Sequence, residues 1–149
     1  MATRRVELAD EDAVRALFTQ CAAHDGLSAS HIKRALDGDL RNPMDTYGGG
    51  GRGSRLIVSD EAHALVGMVC VAKGGEIRRL MVRPSHRGRG YGRLLLLAAI
   101  RAGGTWLECM AGNEVARNLY CQYMRHKGTK ECISARTGQR YQLVRYEVV

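Results

Sequence analysis

Apolar positions recur along this chain with two periods, and each change of period marks an element. Arg4 to Leu8 alternates around Val6 and Leu8 like a short strand. Asp10, Glu11 and Asp12 then supply an acidic helix start, with Val14, Leu17, Phe18 and Cys21 following at helical spacing. Ser28 or Ser30 caps a second short helix that carries Ile32 and Leu36 and ends near Gly38. Two strands follow, Arg55 to Ser59 and Ala64 to Ala72, joined by Asp60 to His63. Gly67, inside the second, marks a bulge, a close backbone approach or simply a tolerated glycine. Gly74-Gly75 turns the chain into a strand from Glu76 to Val82. From Gly90 a helix presents Tyr91, Leu94, Leu95, Ala98 and Ala102 on one face, and Gly103-Gly104 stops it. Thr105 to Met110 is the next strand and Glu114 to Met124 the next helix. Gly128 to Ser134 and Tyr141 to Val148 close the chain as a hairpin around Arg136 to Gln139.

The resulting order, β-α-α-β-β-β-α-β-α-β-β, predicts an α/β (α+β) fold built on a mixed sheet with helices on both faces. Arg41 to Ser54 has no periodicity and is rich in glycine, which predicts a flexible loop over 41–54. There is no internal repeat, and 149 residues are the length of one domain, 1–149. The longest apolar run, Leu94 to Ile100, is too short to span a bilayer, and the N-terminal residues lack an apolar signal core. The expectation is a cytosolic protein without a membrane partner. Five scattered cysteines with no CxxC pair read as reduced structural thiols. The five histidines show no metal-ligand spacing, so no metal is expected.

The formal net charge is +8, carried mostly by arginine, which permits a polyanionic partner. Much of it has a local explanation. Arg78, Arg79, Arg83, Arg87, Arg89 and Arg93 cluster around a run, Arg87-Gly88-Arg89-Gly90-Tyr91-Gly92, that lies between a strand and a leucine-rich helix. That order builds a pyrophosphate cradle: glycines let backbone N–H groups turn outward, and the helix sets the positive end of its dipole behind them. Arg87, Arg89 and Arg93 add cationic forks. There is no GxxxxGK[ST] run, and the glycines do not fit GxGxxG, which points away from ATP and NAD. Nucleic acid as the main partner is disfavoured, because one Phe, one Trp and six Tyr make a poor stacking platform. The Gly48 to Gly53 run holds one arginine, too few for an RGG-like segment.

Arg87, Gly90 and Gly92 fit the Arg/Gln-x-x-Gly-x-Gly/Ala signature, with Val82-Arg83-Pro84 closing the strand before it. Asn113-Glu-Val-Ala116-Arg-Asn-Leu119-Tyr120 follows at the expected distance, like an Asn-x-x-Ala-x-x-Leu-Tyr helix. In these two motifs the chain resembles the GNAT superfamily of acetyl-CoA-dependent N-acyltransferases. The resemblance implies that the strands Glu76–Val82 and Thr105–Met110 run parallel and splay into a V-shaped gap. It places a pantetheine arm there against Leu80, Met81 and Val82, with the pyrophosphate over Arg87, Gly88, Arg89, Gly90, Tyr91, Gly92 and Arg93. It also implies acetyl-CoA as acyl donor, an amine acceptor that is a small molecule or a protein, and a homodimer through the C-terminal hairpin. Relatives usually carry Gly-Phe four and five residues after the tyrosine, where this chain has Met124-Arg125.

Acetyl transfer to an amine needs a base for the ammonium proton and an acid for the departing thiolate. The resemblance makes Glu76 the base, and its alternative is an exposed strand residue paired with a nearby arginine. Glu108 falls on the same side of its strand as Trp106 and could replace or assist Glu76 if that side faces the gap. Tyr120 corresponds to the family's proton donor to the thiolate, against a core tyrosine with a satisfied hydroxyl. Asn113 either bonds the CoA arm or caps its helix. An acyl-cysteine route through Cys109 or Cys121 is disfavoured, with no histidine nearby in sequence to activate either thiol. His86, beside the cradle, reads as a phosphate neighbour or surface residue. The expected function is direct acetyl transfer in a ternary complex. The alternative is a CoA-binding or nucleic-acid-binding protein on the same fold without transfer activity.

Overall fold

The computed structural model describes residues 2–48 and 55–149. Its strands and helices follow the expected order: β1 (Thr3–Arg5), α1 (Glu11–His24), α2 (Ala29–Asp37), β2 (Arg55–Glu61), β3 (Ala64–Val71), β4 (Ile77–Val82), α3 (Tyr91–Arg101), β5 (Trp106–Met110), α4 (Glu114–Tyr123), β6 (Arg125–Ile133) and β7 (Arg140–Glu147). The strands form two antiparallel sheets, ordered β1-β2-β3-β4 and β5-β7-β6. A single parallel bridge, Glu76 to Trp106, joins them.

Alternation sorts the first sheet onto two cores. Leu56, Val58, Met68 and Cys70 face α1 and α2 and pack with Val14, Leu17, Phe18 and Cys21. Ile57, Val69, Val71 and Ile77 face the other way and pack with α3 and the inner face of the second sheet. The period of two along β2 and β3 thus covers both faces with helices, which is why these strands read as nearly continuous apolar runs. Ser28 caps α2, accepting from the His31 N–H.

Several boundaries differ from the expectation. The stretch 41–54 is not open throughout: Met44–Gly48 is a π-helical turn, and Tyr47 is buried with its hydroxyl donating to Asp39 at 2.5 Å. The Asp39 carboxylate also accepts two bonds from Arg79. No periodic pattern announces this anchor, because its three members are far apart in sequence. Residues 49–54 of the same stretch lie outside the described residues. On α3 the buried set is Tyr91, Leu95, Leu96 and Ala99, with Ala98 and Ala102 half-buried. The stripe is rotated because the helix is covered on two sides, by the first sheet and by the residues of β5, α4 and β7. β6 starts at Arg125, earlier than Gly128, because Met124 is extended and buried and ends α4 without a loop. Gly67 is a close approach and lies beside a bulge: a Cβ there would stand 2.6 Å from Leu95 Cδ1, and the β2–β3 register shifts after Ser59.

Gly75 sits where the two sheets meet. Its φ is +87°, and an added Cβ would lie 2.3 Å from Thr105 Oγ1. Gly74 has a similar φ of +93° but open space around it. Gly74→Ala is therefore expected to cost about 1–2 kcal/mol of left-handed strain. Gly75→Ala adds a clash, worth about 1–3 kcal/mol more. Urea unfolding of both variants checks this; equal costs would mean that the contact at Gly75 relaxes freely.

Candidate active site

The gap between β4 and β5 opens from that junction. Bridge partners project to the same face, so Glu76 and Trp106 point together, and Arg78 and Glu108 follow on that side two residues along each strand. Further along β4, a bulge lies opposite the stretch from Met68 to Cys70, and Arg79 within it has a φ of +54°. A long side chain seldom adopts that conformation. Its guanidinium is held by the half-buried Asp39 and lies 5.0 Å from the centre of the Phe18 ring, which fixes the kink. Burial alone would raise the Asp39 pKa, but Arg79 and the Tyr47 hydroxyl outweigh it and hold the carboxyl below its ordinary range. The bulge turns Leu80, Met81 and Val82 to line a cavity of about 960 Å³.

That cavity runs between the end of β4, the start of α3 and α4. Its walls include Leu80, Met81, Val82, Arg87, Gly88, Tyr91 and Gly92 on one side, and Asn113, Ala116, Leu119 and Tyr120 on the other. Glu76, Arg89, Gly90 and Arg93 do not line it. The glycine run adopts the conformation that a cradle requires: Gly88 and Gly90 have φ of +78° and +90°, with open space where a Cβ would stand. Gly90 is the left-handed residue that leads into α3. Among the described residues, the N–H groups of 88–92 have no backbone acceptor, and the first intrahelical bond is Leu94 N–H to Gly90 O. Several unsatisfied donors at a helix N-terminus, open to a cavity, make a site for phosphate oxygens. On these grounds the residues fit the pyrophosphate of a CoA-type ligand.

The arginines around the run divide by what they touch. Arg87 donates from Nε to the Val82 carbonyl at 2.8 Å and grips Asp25 with both terminal nitrogens. It is a strut between the end of β4 and the end of α1. Arg93 lies over the Tyr123 ring. Arg89 is the outermost, 3.7 Å from Glu61, whose carboxylate also accepts from Tyr91 and lies 3.1 Å from His86. Asp25, Leu27, His86, Met110, Gly112 and Val115 complete the walls; of these, the sequence marked only His86, as a phosphate neighbour or surface residue. Ala116 and Leu119 carry a signal, as members of the helix motif; Asp25 and Leu27 follow α1 with no motif of their own.

Tyr120 projects from α4 into the cavity and is 8 % exposed. Among the described residues no group hydrogen-bonds its hydroxyl, which distinguishes it from Tyr91, bonded to Glu61, and Tyr146, bonded to Arg117. Burial, with the Cys109 thiol and Tyr146 phenol nearby, raises its pKa well above a tyrosine's ordinary range. It is a neutral O–H donor at physiological pH. Asn113 both caps α4, accepting from the Ala116 N–H at 3.2 Å, and lines the cavity.

The two candidate bases, Glu76 and Glu108, do not line the cavity. Glu76 accepts from Arg78 at 2.9 Å. Glu108 pairs with Lys130 at 3.0 Å. Arg145, opposite Glu108 in register, stacks on Trp106 at 4.1 Å and bonds Glu147. Glu76 and Glu108 thus share one face of the gap, with the cavity beyond the bulge. Among the described residues no cluster of His, Cys, Asp and Glu could hold a metal ion, and no helix is long and apolar enough to cross a membrane.

The fold recurs in solved structures. Ribosomal-protein-alanine N-acetyltransferase from Brucella melitensis superposes with a TM-score of 0.69 at 19% identity, over 100% of both chains. An acetyltransferase of the GNAT family from Streptococcus pneumoniae gives 0.75 at 15% identity, over 99% of this chain and 98% of that one. PaiA N-acetyltransferase from Thermoplasma acidophilum, solved in complex with coenzyme A, gives 0.72 at 12% identity, over 97% of each. No curated protein is close enough in sequence to count as a match. The model of the acetyltransferase (GNAT) family matches residues 11–124, which contain the bulged strand, the glycine cradle and Tyr120. The chain belongs to the GNAT family of acetyltransferases.

Proposed function

We propose that this protein is a cytoplasmic N-acetyltransferase that transfers an acetyl group directly from acetyl-CoA to a primary amine within a ternary complex. The observation that carries this reading is Tyr120: a buried phenol with no hydrogen-bond partner among the described residues, in a cavity that ends in a cradle of N–H groups without a backbone acceptor among those residues. Enzymes of this family draw the acetyl group from acetyl-CoA; the bound thioester supplies it and leaves as a thiolate that needs a proton. Residues 88–92 hold the pyrophosphate through backbone N–H groups, with Arg89 and Arg93 adding charge outside the cavity and Arg87 keeping the cradle against β4. Leu80, Met81 and Val82 offer backbone groups to the pantetheine arm, and Asn113 offers an amide from the opposite wall.

The amine enters from the face that carries Glu76. An alkylammonium with pKa near 10 must lose a proton before its nitrogen can attack. Glu76, or a water in contact with it, takes that proton, while Arg78 holds the carboxylate in place. Glu108, on the same face, is the reserve base. Tyr120 donates its proton to the sulfur as the carbon–sulfur bond breaks. Five unpaired cysteines fit a reducing compartment.

Tyr120→Phe should leave the Kd for CoA within about twofold and lower kcat by about 10²–10⁴-fold, the range for a positioned acid. Unchanged turnover would remove Tyr120 from the chemistry. The raised Tyr120 pKa also sets the alkaline side of the profile. Tyr120 stays protonated below its folded pKa, so wild-type kcat should not fall as pH passes about 10, where an ordinary tyrosine ionises.

Glu76→Gln should lower kcat/KM at neutral pH, and the deficit should shrink as pH approaches the amine's own pKa. A deficit constant with pH would leave Glu76 a positioning role only. Normal turnover in Glu76→Gln combined with a loss in Glu108→Gln would pass the base role to Glu108.

A further inference from the structure

A second cleft, of about 390 Å³, lies where the β1–β2 edge of the first sheet meets the C-terminal end of α3. Its floor is Ile57, Ala98 and Ala102, and its rim is arginine. The register sets Arg5 opposite Ile57, so Arg5 and Arg55 are diagonal neighbours on the face that α3 covers, and Arg101 reaches the same cleft from the last turn of that helix. Arg4 also borders the cleft, but Asp10 and Asp60 hold its guanidinium at 2.7 Å each. Among the described residues, Arg5, Arg55 and Arg101 have no carboxylate within 4.0 Å and donate no side-chain hydrogen bond, unlike the paired Arg4, Arg78, Arg79 and Arg87.

Capping does not explain these arginines. The α3 carbonyls of Ala98, Ala99 and Ile100 already accept from the N–H groups of Ala102, Gly104 and Gly103. Three guanidinium groups, with five fixed N–H donors each, therefore border an apolar floor with no carboxylate partner among the described residues, and an anion bound among them would relieve their mutual repulsion. Arginine forks match phosphate oxygens in pairs.

We propose that this cleft is a binding site for a small, multiply charged phosphate compound, separate from the cradle at the other end of α3. One observation favours a small ligand over a nucleic acid: among the described residues no aromatic side chain lines the cleft to stack a base.

The test is calorimetric titration of the full chain with inorganic tripolyphosphate, with CoA in excess to fill the cradle. Binding should appear at one site with a submillimolar Kd. The variant Arg55→Ala/Arg101→Ala should weaken it at least tenfold, Arg55→Lys/Arg101→Lys should restore most of it, and both should melt and bind CoA like the wild type. No heat of binding, or equal binding in the alanine variant, overturns the proposal. A twelve-nucleotide single-stranded RNA that binds while tripolyphosphate does not, and is lost in the alanine variant, overturns the small-ligand assignment. Because CoA binding is measured separately, failure here is distinguishable from failure of the acetyltransferase reading.

Discussion

The Gly75 carbonyl accepts from both Thr105 and Trp106, at 2.8 and 3.3 Å, and with the Glu76–Trp106 bridge it holds the two sheets together at one point. Only a residue without a side chain fits there, at a φ of +87° against the Thr105 hydroxyl. Past this point β4 and β5 have separate partners: among the described residues β4 pairs only with β3, and β5 only with β7. The inner edges of both strands are thereby left without a strand between them. In an ordinary sheet such edges would be a liability, whereas here they border the cavity in which a ligand arm can take up their backbone groups.

The kink in β4 aims that edge. Arg79 is forced into a left-handed conformation, and the strain is held by a network of residues that meet across the fold: two bonds from Arg79 to Asp39, one from Tyr47 to Asp39, and the Phe18 ring against the guanidinium. The network ties the π-helical turn to the strand that lines the site. Opposite it, Arg87 joins the end of β4 to Asp25 at the end of α1. The cradle thus stands on a strand braced from both sides, which suits the proposed role of its backbone groups, to meet phosphate without moving.

Local pattern carried most of the architecture. Caps such as Ser28, breakers such as Gly38 and Gly103, and alternation in β2 and β3 act over a few residues, so their elements could be read directly from the chain. The glycine run and the Asn113 to Tyr120 helix were legible as motifs because each is a contiguous piece of chemistry. What could not be read depends on residues meeting across the fold. Asp39, Tyr47 and Arg79 show no relation until β4 packs against α1; the bulge at an arginine has no propensity signal; and Arg87, which reads as a phosphate fork, is seen as a strut only once Asp25 is beside it. The burial of α3 shifted for a similar reason, since a helical wheel cannot tell that a helix is covered on two sides.

In the proposed function, the open edge of β4 and the backbone N–H groups of residues 88–92 hold the cofactor. Amide NMR of the ¹⁵N-labelled protein during titration with CoA tests it most directly. The largest shifts should fall on residues 80–82 and 88–92, with smaller ones on Asn113 and Tyr120. Saturable shifts concentrated elsewhere, or none at millimolar CoA, would contradict it.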